Sequence, residues 1–152
     1  MFVHYETEVS LPMAEVEREL DALRSHLVSL APLAYLDGEE LRAKVGPGGP
    51  NLAKQVRLEI WPSQIHRSGL IYPIRWSAVG AESLFPHLTA DLIVSHLGLD
   101  RTKIVIDGTY QPPLGHLGRI VDRVLLRRVA EATVKGWMDT LADSLSNSRL
   151  VT

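Results

Sequence analysis

Cysteine is absent from all 152 residues, which removes disulfides, thiol nucleophiles and cysteine-based zinc or iron–sulfur sites. That absence also fits a reducing compartment. No run approaches the roughly 18 apolar residues of a membrane span, and the opening MFVHYETEVS carries Glu6 and Glu8 where a signal peptide needs an apolar stretch. The expectation is a cytoplasmic protein without stable membrane insertion. Charge of one sign is lacking too: 16 Lys and Arg face 18 Asp and Glu, so the field of the whole molecule gives no reason to expect a nucleic-acid partner.

Sites of catalysis and metal binding are equally sparse. Histidines 4, 26, 66, 87, 96 and 116 show neither the i, i+4 pair nor the His-x-His spacing that puts two ligands on one ion, so no metal and no cofactor is expected. GPGGPN, from Gly46 to Asn51, lacks the Lys-Ser/Thr of a P-loop and reads as a hairpin turn. There is no Gly-x-Ser-x-Gly elbow. Without repeats, linkers or low-complexity tracts, the chain reads as one domain over 1–152, long enough to hide roughly 70% of its unfolded surface.

What the chain does have is alternation. Val3, Tyr5, Thr7 and Val9 oppose His4, Glu6 and Glu8, the period of a half-buried strand. Pro12 follows where a helix accepts it, and Met13, Val16, Leu20, Leu23, Leu27 and Leu30 recur at helical spacing until Pro32. Period two returns in Leu41, Ala43 and Val45, then in Val56, Leu58 and Ile60, with PSQIHRSG as a loop before Leu70, Tyr72, Ile74 and Trp76. Two more runs follow: Leu88 to His96, then Thr102 to Tyr110 beyond the GLD turn. Short connections make consecutive antiparallel pairing the simplest arrangement. Pro73 cannot donate to a ladder, which predicts an edge or a bulge at that point.

The final segment, about Leu117 to Leu145, predicts a helix of ~42 Å, as wide as the whole domain. Its apolar stripe shifts. Leu117, Ile120, Val121, Val124 and Leu125 lie nearly opposite Leu126, Ala130, Val134, Trp137, Leu141 and Leu145. Either the helix kinks near Arg127 to Glu131 or its halves cover different things, and the second stripe leaves homodimerisation open.

Two stretches point further. VSLPMAEVEREL (Val9 to Leu20) passes from strand to helix through a proline corner. DGTYQPPLGHLGRIVDRVLLRRVAEATVKGWMDTLADSL (Asp107 to Leu145) ends a strand at a tyrosine, turns through Pro-Pro-Leu-Gly and enters an Arg/Asp-rich helix. With the element order, these resemble bacterial members of the START-like (SRPBCC) superfamily, which includes the birch-pollen allergen fold. The resemblance implies an α+β helix-grip fold, in which a curved antiparallel sheet of about six to seven strands wraps a long C-terminal helix around an apolar cavity. Two short helices usually follow the first strand in that family; one is clear here, and APLAYLDG, at 31–38, is either the second or a loop.

On that fold the inward set includes Tyr72, Trp76, Leu92, Val94, His96, Ile104, Ile106 and Tyr110, with Val121 and Leu125 from the helix. The set holds no carboxylate and one histidine, so paired acid/base chemistry would have to recruit groups from elsewhere. A mostly apolar wall with a few polar handles suits a small-molecule pocket. The leading expectation is carriage of an apolar small molecule, lipid-like or polycyclic. A polyketide cyclase or dehydratase would instead use His96, Tyr110 or Tyr72 to move protons. His96 has a plainer reading as a histidine satisfied at a strand end. Arg119 and Arg123, four apart, could hold an anionic group at the cavity mouth or dock a protein partner; with Arg127 and Arg128 they could equally form a solvated face served by Asp122 and Glu131.

Overall fold

The computed structural model describes residues 1–22, 24, 56–78, 87–111 and 123–148, with the side chains of 56, 57, 78, 123, 125, 126 and 129 outside that description. Six strands and two helices lie within it: β1 (Phe2–Val9), α1 (13–22), β2 (Val56–Ile60), β3 (Gln64–His66), β4 (Gly69–Ala78), β5 (His87–His96), β6 (Thr102–Gln111) and α2 (Arg123–Ser148). The expected strand near Leu41 to Val45, the GPGGPN turn and the stretch 31–38 fall outside the described residues.

The sheet is antiparallel throughout, in the order β1-β6-β5-β4-β2, with β3 also paired to β4. Alternation decides its faces. Leu70, Tyr72, Ile74 and Trp76 of β4, Leu88, Leu92 and Val94 of β5, and Ile104, Ile106 and Tyr110 of β6 are all buried. Their neighbours on the outer face carry charge: Lys103 meets Glu6 across the β1–β6 pair at 2.6 Å, and Arg101 meets Glu8. The Lys103 ammonium beside Glu6 holds that carboxyl below its ordinary range.

PSQIHRSG is more than a loop. Gln64–His66 turns through Arg67 and Ser68 and pairs back onto β4, although all three side chains are exposed. Between β2 and β3 the register slips: Ile60 faces Ile74 but Gln64 faces Ile71, so Trp61, Pro62 and Ser63 oppose only Tyr72 and Pro73. That is a bulge. Pro73 accepts the Trp61 N–H at 3.0 Å, and in a strand a residue's N–H and C=O point to the same side, so its missing donor faces the bulge. β4 lies between β5 and the β2/β3 edge. The bulge is therefore what tolerates the proline there.

On the inner face Gly108 lies directly across from Ala90. A β-carbon on Gly108 would sit 2.4 Å from that of Ala90, where opposed Cβ atoms ordinarily stand about 5 Å apart. The two strands pinch together at this point, so the sheet is concave toward its apolar side.

α1 starts at Pro12, whose carbonyl accepts the N–H of Glu15 and Val16 at 3.0 and 3.1 Å. It buries Val16 and Leu20 and packs Met13 against the core. Thr102, at the start of β6, donates to the Leu11 carbonyl at 2.7 Å and so ties the strand-to-helix corner to the sheet.

α2 is continuous over 26 residues, about 39 Å at 1.5 Å per residue. Of its two stripes, the second is inside: Ala130, Val134, Trp137, Leu141 and Leu145 are buried, with Met138 and Thr133 beside them. Val124, from the first, is 59% exposed. The helix packs chiefly over β1. A polar clasp fixes it there: the Tyr5 hydroxyl donates to Asp139 Oδ1 at 2.9 Å, and Lys135 holds the other carboxylate oxygen. Partial burial, then the neighbouring Asp139 charge, pushes the Tyr5 phenol up.

Candidate functional site

The concave side of the sheet and the buried face of α2 belong to one contiguous apolar cluster. From the sequence-predicted set, Tyr72, Trp76, Leu92, Val94, Ile104, Ile106 and Tyr110 all lie in it. Tyr110 is fixed by its backbone, its N–H donating to the Met1 carbonyl at 2.7 Å and its carbonyl accepting from the Met1 ammonium at 2.9 Å.

His96 stands apart from this group. It pairs with Thr102 at the last rung of β5 and β6, and its side chain is exposed. Strand parity gives the face a side chain leaves from, but at a strand end nothing need cover it. Val121 and Arg119 lie outside the described residues, as do the side chains of Leu125 and Arg123. Arg127, from the same arginine-rich stretch, is exposed and bonds Glu131 at 2.8 Å one turn on.

Two polar atoms are buried in the cluster: the Trp137 indole nitrogen, with no hydrogen-bond partner among the described residues, and the Tyr72 hydroxyl, whose neighbour is the Ser63 hydroxyl. Tyr72 is 1% exposed and Trp137 fully buried. Tyr72 rises from the middle of β4, beside the bulge. Burial pushes its phenol up, the negative charge of Asp21 on α1 adds to this, and the nearby Ser63 hydroxyl works the other way. Trp137 sits near the middle of α2. The sequence marked it as part of an apolar stripe; its orphaned nitrogen is a property of the packing, and no sequence pattern announces it.

Elsewhere, among the indentations that the described residues line, two are the roomiest. An outer groove of about 600 Å³ runs along the bulge, walled by Trp61, Pro62 and Pro73 with Arg75 and Asp91 at its sides. A cleft of about 390 Å³ between β1 and α2 is edged by His4, Arg128 and Lys135. None of the residues singled out as ligand-binding from the sequence lines either of them. Among the described residues no three His, Asp or Glu side chains come together as a metal cage, and no helix is long and apolar enough to cross a membrane.

No family model matches the sequence, and no curated protein does either. Solved structures do match in shape. Ara h 8.0201 aligns over 100% of this chain and 99% of its own, at TM-score 0.52 and 15% identity. TTHA0849 from Thermus thermophilus aligns over 97% and 99%, at TM-score 0.51 and 14% identity. Identities this low speak to architecture, and the architecture agrees with the topology above: a curved antiparallel sheet closed by a long C-terminal helix. The chain has the α+β helix-grip fold that these two structures share.

Proposed function

We propose that this single domain binds and carries an apolar small molecule, lipid-like or polycyclic, between the concave face of the sheet and α2, in the cytoplasm. One observation carries the reading. The concave faces of β4, β5 and β6 offer a continuous buried apolar surface whose only ionisable side chains, among the described residues, are the phenols of Tyr72 and Tyr110. Such a wall favours ligands by removing their apolar area from water and orients them with a few polar handles. The helix-grip fold supports the reading only by analogy. A proton-shuttling reading finds no carboxylate or histidine among the described residues that line this wall; the buried Oδ1 of Asp107 belongs to a partly exposed side chain beside His4.

Native mass spectrometry of the protein as purified, followed by organic extraction, tests the proposal. The expected result is a discrete apolar compound near one per chain, or, in an empty preparation, saturable uptake of the neutral fluorophore N-phenyl-1-naphthylamine. A well-folded protein that releases nothing and takes up none of the fluorophore overturns it.

A further inference from the structure

The side of the sheet that faces away from α2 has a concavity of its own. Pro73 and Arg75 of β4, with Thr89 and Asp91 of β5, alternate with the buried Tyr72, Ile74, Leu88, Ala90 and Leu92, so all four side chains leave from the outer face. The bulge adds a wall to it. Trp61 and Pro62 stand beside Pro73 and bound the outer groove of about 600 Å³ along one side. A bulge re-aims side chains, and the one re-aimed here is a tryptophan left 42% exposed. With the two prolines it forms an apolar wall on an otherwise polar face, a surface against which a flat guest packs.

Two opposite charges flank that wall. Asp91 lies directly across from Pro73, and Arg75 directly across from Thr89, which makes Arg75 and Asp91 diagonal neighbours with their backbones roughly 7–8 Å apart. Both line the groove. Neither forms an ion pair or a side-chain hydrogen bond with any described residue. Asp91 in turn faces Asp107 across the β5–β6 pair, and Asp107 has its Oδ1 buried with no partner among the described residues and its Oδ2 3.9 Å from His4. Like charges directly opposed are unfavourable, so a cation is favoured at that end. At the other end stands Arg75, with Glu59 across from it on β2 but outside the lining of the groove.

From this arrangement we infer that the groove binds a zwitterion with a flat apolar group, an aromatic α-amino acid: the ring packs against Trp61, Pro62 and Pro73, the ammonium meets Asp91 and the carboxylate meets Arg75. A guanidinium offers a carboxylate a planar fork of donors, and a carboxylate accepts from an ammonium. A guest with one charge leaves the opposite side of the groove unserved. The groove lies across the sheet from the apolar interior, so this binding neither requires nor excludes the function proposed above.

L-Phenylalanine, 3-phenylpropanoate and 2-phenylethylamine test the inference, because the second lacks only the ammonium and the third only the carboxylate. Excitation beyond the absorption of the phenyl ring makes tryptophan the reporter, and of the three tryptophans only Trp61 is exposed. L-Phenylalanine is expected to shift its emission saturably in the millimolar range, with each single-charge probe binding about three- to fivefold more weakly, the factor set by one exposed charge contact. In Arg75→Gln the advantage over 2-phenylethylamine should vanish while that over 3-phenylpropanoate remains; Asp91→Asn should do the reverse. Both positions are exposed, so neither substitution should alter the melting point appreciably. The emission change should be lost in Trp61→Phe. Equal affinities for the three probes, or no saturable response in the millimolar range, overturn the inference. A response that survives Trp61→Phe puts the guest against a buried tryptophan and overturns it as well.

Discussion

Trp137→Ala is expected to lower stability by about 3–5 kcal/mol, the usual loss when a fully buried tryptophan is truncated and the site only partly collapses. Trp137 is the largest of the fully buried side chains, and it stands at the centre of the stripe that fixes α2 to the rest of the core. In a chain of this length the melting point should fall by roughly 10–15 °C. Since a domain has only about 5–15 kcal/mol in total, the variant should be close to the limit of folding at physiological temperature. Val124→Ala, on the same helix but roughly three and a half turns earlier and 59% exposed, is the matched control and should change stability by less than about 0.5 kcal/mol. Thermal and urea denaturation of both variants check this. A loss below about 1 kcal/mol for Trp137→Ala, against the usual range for such truncations, would mean that α2 is not buried along this stripe.

Gly69→Ala is the second large effect. Gly69 has φ of +131°, a region that side-chain-bearing residues rarely enter, and a β-carbon there would lie 2.1 Å from the Val94 carbonyl oxygen. That oxygen is backbone and cannot rotate away, so the β4–β5 pairing at Leu70 and Val94 must open. Strain and overpacking together predict a cost of about 3–5 kcal/mol. Gly98 separates the two contributions. It has φ of +150° but nothing within 4 Å of its would-be β-carbon, so Gly98→Ala should cost only the strain, about 1–2 kcal/mol. Equal losses in the two variants, measured by urea denaturation, would show that crowding against Val94 is not what demands glycine at position 69.

Much of this architecture was legible because its signals are periodic. Leu70, Tyr72, Ile74 and Trp76 alternate in the sequence and share a face in the sheet, since a two-residue repeat in apolar character is a direct image of which side is dry. Pro73 announced a disturbance by chemistry alone, and the bulge at Trp61 to Ser63 is that disturbance. What stayed hidden is of a different kind. Gln64–His66 forms a strand with every side chain exposed, so burial leaves no pattern to read; the pairing comes from a tight turn folding the segment onto a waiting edge. His96 has the parity of an inward residue, but depth depends on what lies above the last rung. Tyr5 and Asp139 meet across 134 positions of sequence, and the orphaned nitrogen of Trp137 follows from what does not meet it. Periodicity reports faces; partners are a property of the assembled fold.

The pairing of β1 with β6 has a consequence in time. Tyr5 faces Ile106 and Val9 faces Thr102, so this strand's partner lies roughly a hundred residues downstream. The entropy of closing that loop is spent before any of the eight residue pairs forms, and sheets dominated by such distant pairings fold in milliseconds to seconds rather than microseconds. On the ribosome the delay is longer still. At about 5–20 residues per second, β1 leaves its hydrogen-bonding edge and the apolar faces of Val3 and Val9 unpaired for roughly 5–20 s, until β6 has been made. Nascent chains halted before Thr102 should therefore be the species most prone to aggregate or to be held by chaperones, since of the described strands the first to be synthesised is among the last to find its place.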